Sequence, residues 1–161
     1  MRAAVLTVSD GVVAGNREDS SGEVLAERAA GAGFEVVARR LVADEHSQIA
    51  DALWDLTEQA DLVLTTGGTG FAPRDVTPEA TAEVVERPTP GLDEAMREVS
   101  RRASPHGLLS RGRSGIVGRT LIVNFPGNPK AIEELFPVIA PVLRHAAETL
   151  VRDGGRAAGG H

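Results

Sequence analysis

The stretch that most constrains this chain is Leu62-Val63-Leu64-Thr65-Thr66-Gly67-Gly68-Thr69-Gly70, followed by Phe71-Ala72-Pro73-Arg74-Asp75-Val76-Thr77-Pro78-Glu79-Ala80. An apolar run without alternation reads as a strand buried on both faces. It runs into a glycine turn, passes Arg74 and Asp75, and enters a helix at Thr77-Pro78-Glu79. Thr77 is expected to cap that helix. Proline at the first helical position costs nothing, because its N–H would be unpaired anyway. Glycine tolerates positive φ and lets a ligand approach the backbone closely. Glycines at the end of a buried strand therefore point to a loop whose N–H groups face an anion. The pattern is not a Walker loop, since the lysine and final Ser/Thr are missing. Nor does it have the G-x-G-x-x-G dinucleotide spacing. On this stretch alone, a tight strand-to-helix turn with no ligand is the alternative.

The chain before it repeats the same grammar. Ala3 to Val8 is an apolar, β-branched run that ends at the turn signal Ser9-Asp10-Gly11. A polar loop from Val12 to Asp19 follows, and Ser20 or Ser21 can cap a helix carrying Val24, Leu25 and Ala29. Gly31 and Gly33 stop it. Phe34 to Val42 is the second strand; Asp44 follows, and Ser47 can cap a helix with Ile49, Leu53 and Leu56. Asp61 to Thr65 is the third strand. The order β-α-β-α-β implies a parallel sheet with right-handed crossovers and helices on both faces.

After the helix at Thr77, Pro88, Pro90 and Gly91 break the pattern, and Leu92 to Arg102 is helical again. Ser104-Pro105-His106-Gly107 is a turn. Leu108 to Gly118, with Arg111 and Arg113 among glycines, reads as a loop or short hairpin near a site. Thr120 to Phe125 is the fourth core strand. Pro126-Gly127-Asn128-Pro129 turns into a helix starting near Lys130, where Pro137 and Pro141 are expected to kink or split it. Residues 1–150 form one expected domain, and residues 151–161 a flexible Gly/Ala/Arg tail.

Composition narrows the function. A chain of 161 residues fits one domain with a real core. A formal net charge of −6 argues against nucleic-acid partners. The absence of cysteine excludes disulfides, thiolate metal sites and cysteine nucleophiles, and fits a reducing, cytoplasmic setting. The N-terminus reaches Asp10 too soon for a signal peptide, and no apolar run reaches membrane-spanning length.

In a parallel sheet, ligands bind beyond the carboxyl ends of the strands. Here those ends deliver Ser9 and Asp10, then Asp44, then Gly67, Gly68, Thr69, Gly70 and Asp75, then Asn124, Pro126, Gly127 and Asn128. Two carboxylates meeting on that rim, Asp44 and Asp75, can hold Mg²⁺, which favours hard oxygen ligands. Each aspartate can also simply cap the helix that follows it. Asp10 reads as a turn former. Arg74, Arg111, Arg113 and Lys130 could pair with phosphates; Arg111 stands out among its glycines, whereas Arg74, Arg113 and Lys130 each read as solvated surface charges. Ser110 could donate to a phosphate oxygen. No G-x-S-x-G elbow is present, and the four histidines have no metal spacing. The residues alone describe an α/β domain that binds a phosphorylated ligand, with Mg²⁺, at a glycine-rich rim.

At Thr66 to Gly70 with Arg74 to Thr81, the chain resembles the molybdopterin adenylyltransferase family, which includes the Mog and MoaB proteins and the G domain of gephyrin. The resemblance extends to Val8-Ser9-Asp10-Gly11, Asp19-Ser20-Ser21-Gly22, Pro90-Gly91 with Met96-Arg97, Leu109-Ser110-Arg111 with Gly115, and Leu121 to Ala131. It implies a three-layer α/β/α fold with a mostly parallel sheet, the molybdopterin-binding fold, usually as a trimer and in some members a hexamer. It implies the reaction of Mg-ATP with molybdopterin to give adenylyl-molybdopterin and pyrophosphate, and the molybdate-inserting enzyme as a partner. By similarity, Asp44 and Asp75 are the essential carboxylates and hold Mg²⁺. Gly67, Gly68, Thr69 and Gly70 cradle the nucleotide. Ser9, Ser110, Arg111, Asn124 and Asn128 bind the adenylate or the pterin phosphate. A non-catalytic pterin-binding or scaffold protein of the same fold is the alternative.

Overall fold

The computed structural model describes residues 1–156. Its elements run β1 (Arg2–Val8), α1 (Asp10–Val13), α2 (Ser20–Gly31), β2 (Glu35–Val42), α3 (His46–Thr57), β3 (Leu62–Thr66) and α4 (Thr77–Val84). Then follow β4 (Arg87–Pro88), α5 (Pro90–Ala103), a 3₁₀ turn (Pro105–Leu109), β5 (Ser114–Val117), β6 (Thr120–Phe125) and α6 (Pro129–Arg156). The sheet has the order β2-β1-β3-β6-β5-β4. The first four of these strands are parallel, while β5 and β4 run antiparallel at one edge.

The continuous apolar strands separate their side chains onto two faces, as a two-residue period requires. Ala3, Val5, Leu62, Leu64, Leu121, Val123 and Phe125 pack with Leu25 of α2, Met96 of α5 and the inner face of α6. Their alternates Ala4, Leu6, Val63 and Ile122 pack with Ile49, Leu53 and Leu56 of α3 and with Ala80 and Val84 of α4. This is the expected three-layer α/β/α sandwich with a mostly parallel sheet.

Several local expectations are corrected. The polar loop after β1 opens with the short helix α1. Asp19, not Ser20 or Ser21, caps α2, accepting from the Gly22 N–H at 3.1 Å. No side chain caps α3, which begins at His46, one residue before Ser47. Thr77 lies inside α4 and donates its hydroxyl to the Gly67 carbonyl at 2.9 Å, while Val76 holds the cap position. The Leu108 to Gly118 stretch yields β5, which pairs with β6 through a tight turn at Gly118, φ 56°. The split at Pro137 and Pro141 does not occur. Both prolines lie on the exposed face of one continuous helix, where the carbonyls they free can be hydrated, while Ile132, Leu135, Ile139 and Leu143 stay in the core. The helical assignment continues to Arg156, and the rest of the expected tail lies outside the described residues.

Candidate functional site

The four parallel strands end on one rim, and hydrogen bonds stitch their loops together. Ser9 N–H donates to the Val42 carbonyl at 3.0 Å and Gly67 N–H to the Phe125 carbonyl at 3.1 Å. The Thr66 hydroxyl donates to the Pro126 carbonyl at 2.9 Å. The glycines are required by this crowding. Gly67 has φ 98°, and a Cβ there would lie 2.2 Å from the Val8 carbonyl oxygen. Gly68 has φ 69°, and its Cβ would meet the Thr77 hydroxyl at 2.3 Å and Asp44 Oδ1 at 3.1 Å. Asp44 thus faces the glycine turn directly.

Asp44 is held by a reciprocal pair. Its Oδ2 accepts the Asp10 N–H at 2.8 Å, and its own N–H donates to Asp10 Oδ1 at 3.0 Å. Burial pushes the Asp44 carboxyl above its ordinary pKa, against the pull of the Asp10 hydrogen bond, and the charges of Asp10 and Asp75 add to the rise. Asp10 is shifted the other way by its hydrogen bonds to the Arg74 guanidinium. Asp75 accepts the Ala72 N–H on Oδ2 at 3.0 Å, closing a small turn before α4.

Two cavities open on the rim. The larger, of about 650 Å³, is walled by Thr69, Gly70, Ser110, Asn128 and Lys130. The smaller, of about 250 Å³, is walled by Ser9, Arg17, Ser20, Ser21 and Asp44. Both share Gly68, Asp75 and Gly127. The structure therefore brings Asp44, Asp75, the glycine turn, Ser9, Ser110 and Asn128 to one place. At the head of α6, Asn128 Oδ1 also accepts the Lys130 N–H at 2.9 Å.

Two other residues expected on the ligand make their polar contacts within the protein. Asn124 is buried, and its amide donates to the Thr65 and Thr81 hydroxyls at 2.9 and 3.1 Å while its oxygen accepts the Arg113 N–H. It braces the loop from inside. Arg111 spends its guanidinium on the protein: Nε on the Gly70 carbonyl at 2.8 Å, Nη2 on the Asp75 carbonyl at 2.7 Å, and Nη1 on the Glu79 carboxylate. It clamps the glycine loop to α4.

Two rim residues make contacts that the local sequence pattern does not show. Arg74 is exposed, as expected of a solvated charge, but reaches both Asp10 and Glu45. Asp10, taken as a turn former, is the partner of Asp44. The one local signal was the adjacency of Arg74 to Asp75.

The donor set suits Mg²⁺: Asp44 and Asp75 line the smaller cavity beside the glycine turn, with Glu18 elsewhere on its wall, and carboxylates are hard oxygen ligands. Among the described residues, no three His, Cys, Asp or Glu side chains form a closed metal centre. Such an open pair fits an ion that keeps waters and takes further oxygens from a phosphate.

Residues 4–145 match the family model described as "Probable molybdopterin binding domain". The chain belongs to this molybdopterin-binding family. It is 38% identical over 151 residues to the molybdopterin adenylyltransferase of Helicobacter pylori, covering 91% of this chain and 86% of that protein. The MoaB molybdopterin biosynthesis enzyme of Thermus thermophilus is 48% identical, with a TM-score of 0.85 over 92% of this chain and 95% of that one. The molybdenum cofactor synthesis protein cinnamon of Drosophila melanogaster is 40% identical over 92% of this chain, which spans only 25% of that longer protein. Family and relatives place the chain in molybdenum-cofactor biosynthesis, in the molybdopterin adenylyltransferase class of enzymes. No helix among the described residues is long and apolar enough to cross a membrane.

Proposed function

We propose that the protein transfers the adenylyl group of ATP to the terminal phosphate of molybdopterin, with Mg²⁺, and releases pyrophosphate. The observation that carries this reading is the meeting of the two cavities at Gly68, Asp75 and Gly127, with Asp44 alongside. Two anionic substrates, one in each cavity, would bring their reacting ends together there.

A pterin phosphate oxygen forms a bond to the α-phosphorus of ATP, and the bond from that phosphorus to the bridging oxygen breaks. Both partners are anions, so the site must hold them in line and offset their charge. Asp44 and Asp75 would hold Mg²⁺, which supplies charge neutralisation at the phosphates. The open backbone of Gly67, Gly68, Thr69 and Gly70 supports close approach of the nucleotide. Lys130 in one cavity and Arg17 in the other offer a cation to each substrate. Ser9, Ser110 and Asn128 supply polar contacts, whereas Asn124 and Arg111 shape the walls. The working form on this reading is a homotrimer or hexamer in the cytoplasm, passing its product to the molybdate-inserting enzyme; light scattering tests the assembly.

The deciding experiment is pyrophosphate release by purified protein with ATP, Mg²⁺ and molybdopterin. Release that requires both pterin and Mg²⁺ is expected. Tight pterin binding with no release would instead make the protein a binding or scaffold member of the family.

A further inference from the structure

We infer that Arg74 is a positioning residue that sets the spacing of Asp44 and Asp75 through Asp10, without touching either substrate. The inference rests on the adenylyl-transfer reading above. Arg74 directly precedes Asp75 on the loop between the glycine turn and α4. Its guanidinium crosses the rim to the loops after β1 and β2. Nε donates to Asp10 Oδ2 at 2.6 Å, and Nη2 donates to Asp10 Oδ1 at 3.1 Å and to Glu45 Oε1 at 2.9 Å. The same Asp10 Oδ1 accepts the Asp44 N–H, and Asp44 Oδ2 accepts the Asp10 N–H. One chain of contacts thus runs from the backbone beside Asp75 to the carboxylate of Asp44.

Three further observations assign this role. Arg74, Asp10 and Glu45 line neither cavity, so the guanidinium is not placed as a phosphate ligand. Of the four acids on these loops, Asp10 and Glu45 are paired to Arg74, while Asp44 and Asp75 face the smaller cavity, whose wall also includes Glu18. Finally, the Asp75 loop is anchored from its other side by Arg111, which grips the carbonyls of Gly70 and Asp75. The loop is therefore held between two arginines, and removing Arg74 frees only the side that faces Asp44.

The Arg74 pairs are exposed, and exposed pairs contribute little to stability. Groups that orient metal ligands nevertheless change metal affinity by roughly 10- to 100-fold when removed. The test is binding of Mg²⁺, by calorimetry with the non-reacting analogue α,β-methylene-ATP, to wild type, Arg74→Ala, Arg74→Lys, Asp10→Asn and the Arg74→Ala/Asp10→Asn double variant. Thermal unfolding is measured alongside. Arg74→Ala should weaken Mg²⁺ uptake by about 10- to 100-fold with little change in Tm. Arg74→Lys should restore part of it, since one ammonium still reaches Asp10 but cannot fork. The double variant should be no worse than the poorer single one, because both act along one path. Unchanged uptake in Arg74→Ala, or additive losses in the double variant, would overturn the inference alone. Wild-type protein that takes up no Mg²⁺ with the nucleotide would overturn the adenylyl-transfer reading and this inference with it.

Discussion

The Arg111 guanidinium donates to the main-chain carbonyl of Asp75 at 2.7 Å, across 36 positions of sequence. With its bonds to Gly70 and Glu79, this makes one side chain the fastener of the whole Gly70–Asp75 loop. Arg111→Ala should lower turnover by about 100-fold, because a small displacement of Asp75 misaligns the phosphates. Arg111→Lys should rescue little, since an ammonium cannot reproduce the planar fork. Steady-state kinetics decide it, and full activity in Arg111→Lys would contradict the fastening role.

Asp44→Asn keeps an acceptor for the Asp10 N–H, and Asp75→Asn keeps one for Ala72. Both should therefore fold normally. Each should nonetheless lose about 100-fold or more of turnover while pterin binding persists. Chelation of Mg²⁺ should stop turnover and added Mg²⁺ restore it. Turnover that survives both substitutions would remove the carboxylates from the chemistry.

Gly67→Ala places a Cβ against the Val8 carbonyl at a φ of 98°. Backbone faces it, so nothing flexible can yield. The cost should be about 3 kcal/mol or more in urea unfolding. Gly31 is the counter-example: it ends α2 with nothing within 4 Å of its Cβ position. Gly31→Ala should stabilise by about 0.5 kcal/mol through the unfolded chain. Equal effects at the two positions would show that crowding at the rim is not the reason for glycine at position 67.

Asp93 is buried on α5 and accepts the Ser114 hydroxyl at 2.7 Å. Burial raises its pKa above the ordinary value, against the pull of Ser114, Arg97 and Arg113. The fold thus favours the protonated form. That contribution is full below the unfolded-state pKa and is lost as pH rises through the folded-state value. Asp93→Asn cannot ionise and still accepts from Ser114. It should be more stable than wild type near neutral pH, with the gap closing as the medium is acidified. Denaturant unfolding across pH measures this, and a gap that widens in acid would show that the fold favours the ionised form of Asp93.

Much of the architecture was written locally. The unbroken apolar runs of β1, β3 and β6 required burial on both faces, and their alternation with helices required a parallel sheet. The glycine turn, Asp44 and Asp75 were legible because each follows a strand end, and parallel strands put those ends on one rim. The helix starts are less legible, because Ser20, Ser47 and Thr77 have the chemistry of caps, yet Asp19, also bonded to Thr7, takes the α2 cap and α3 starts with no side-chain cap. Thr77 is drawn to the Gly67 carbonyl instead.

By itself, the sequence determined the layers, the rim and the residue types that stand on it. Only the tertiary structure decided which of those residues face the cavities and which hold them open. Asn124 is the penultimate residue of a core strand yet points inward to Thr65 and Thr81. Arg111 sits among glycines yet is consumed by their carbonyls, and Arg74 pairs with an acid 64 positions away. These outcomes depend on the strand order β2-β1-β3-β6, which sets loops distant in sequence side by side. Local patterning specifies which face of a strand is apolar, but the partner of a charge is chosen by whichever loop the sheet places within hydrogen-bond reach.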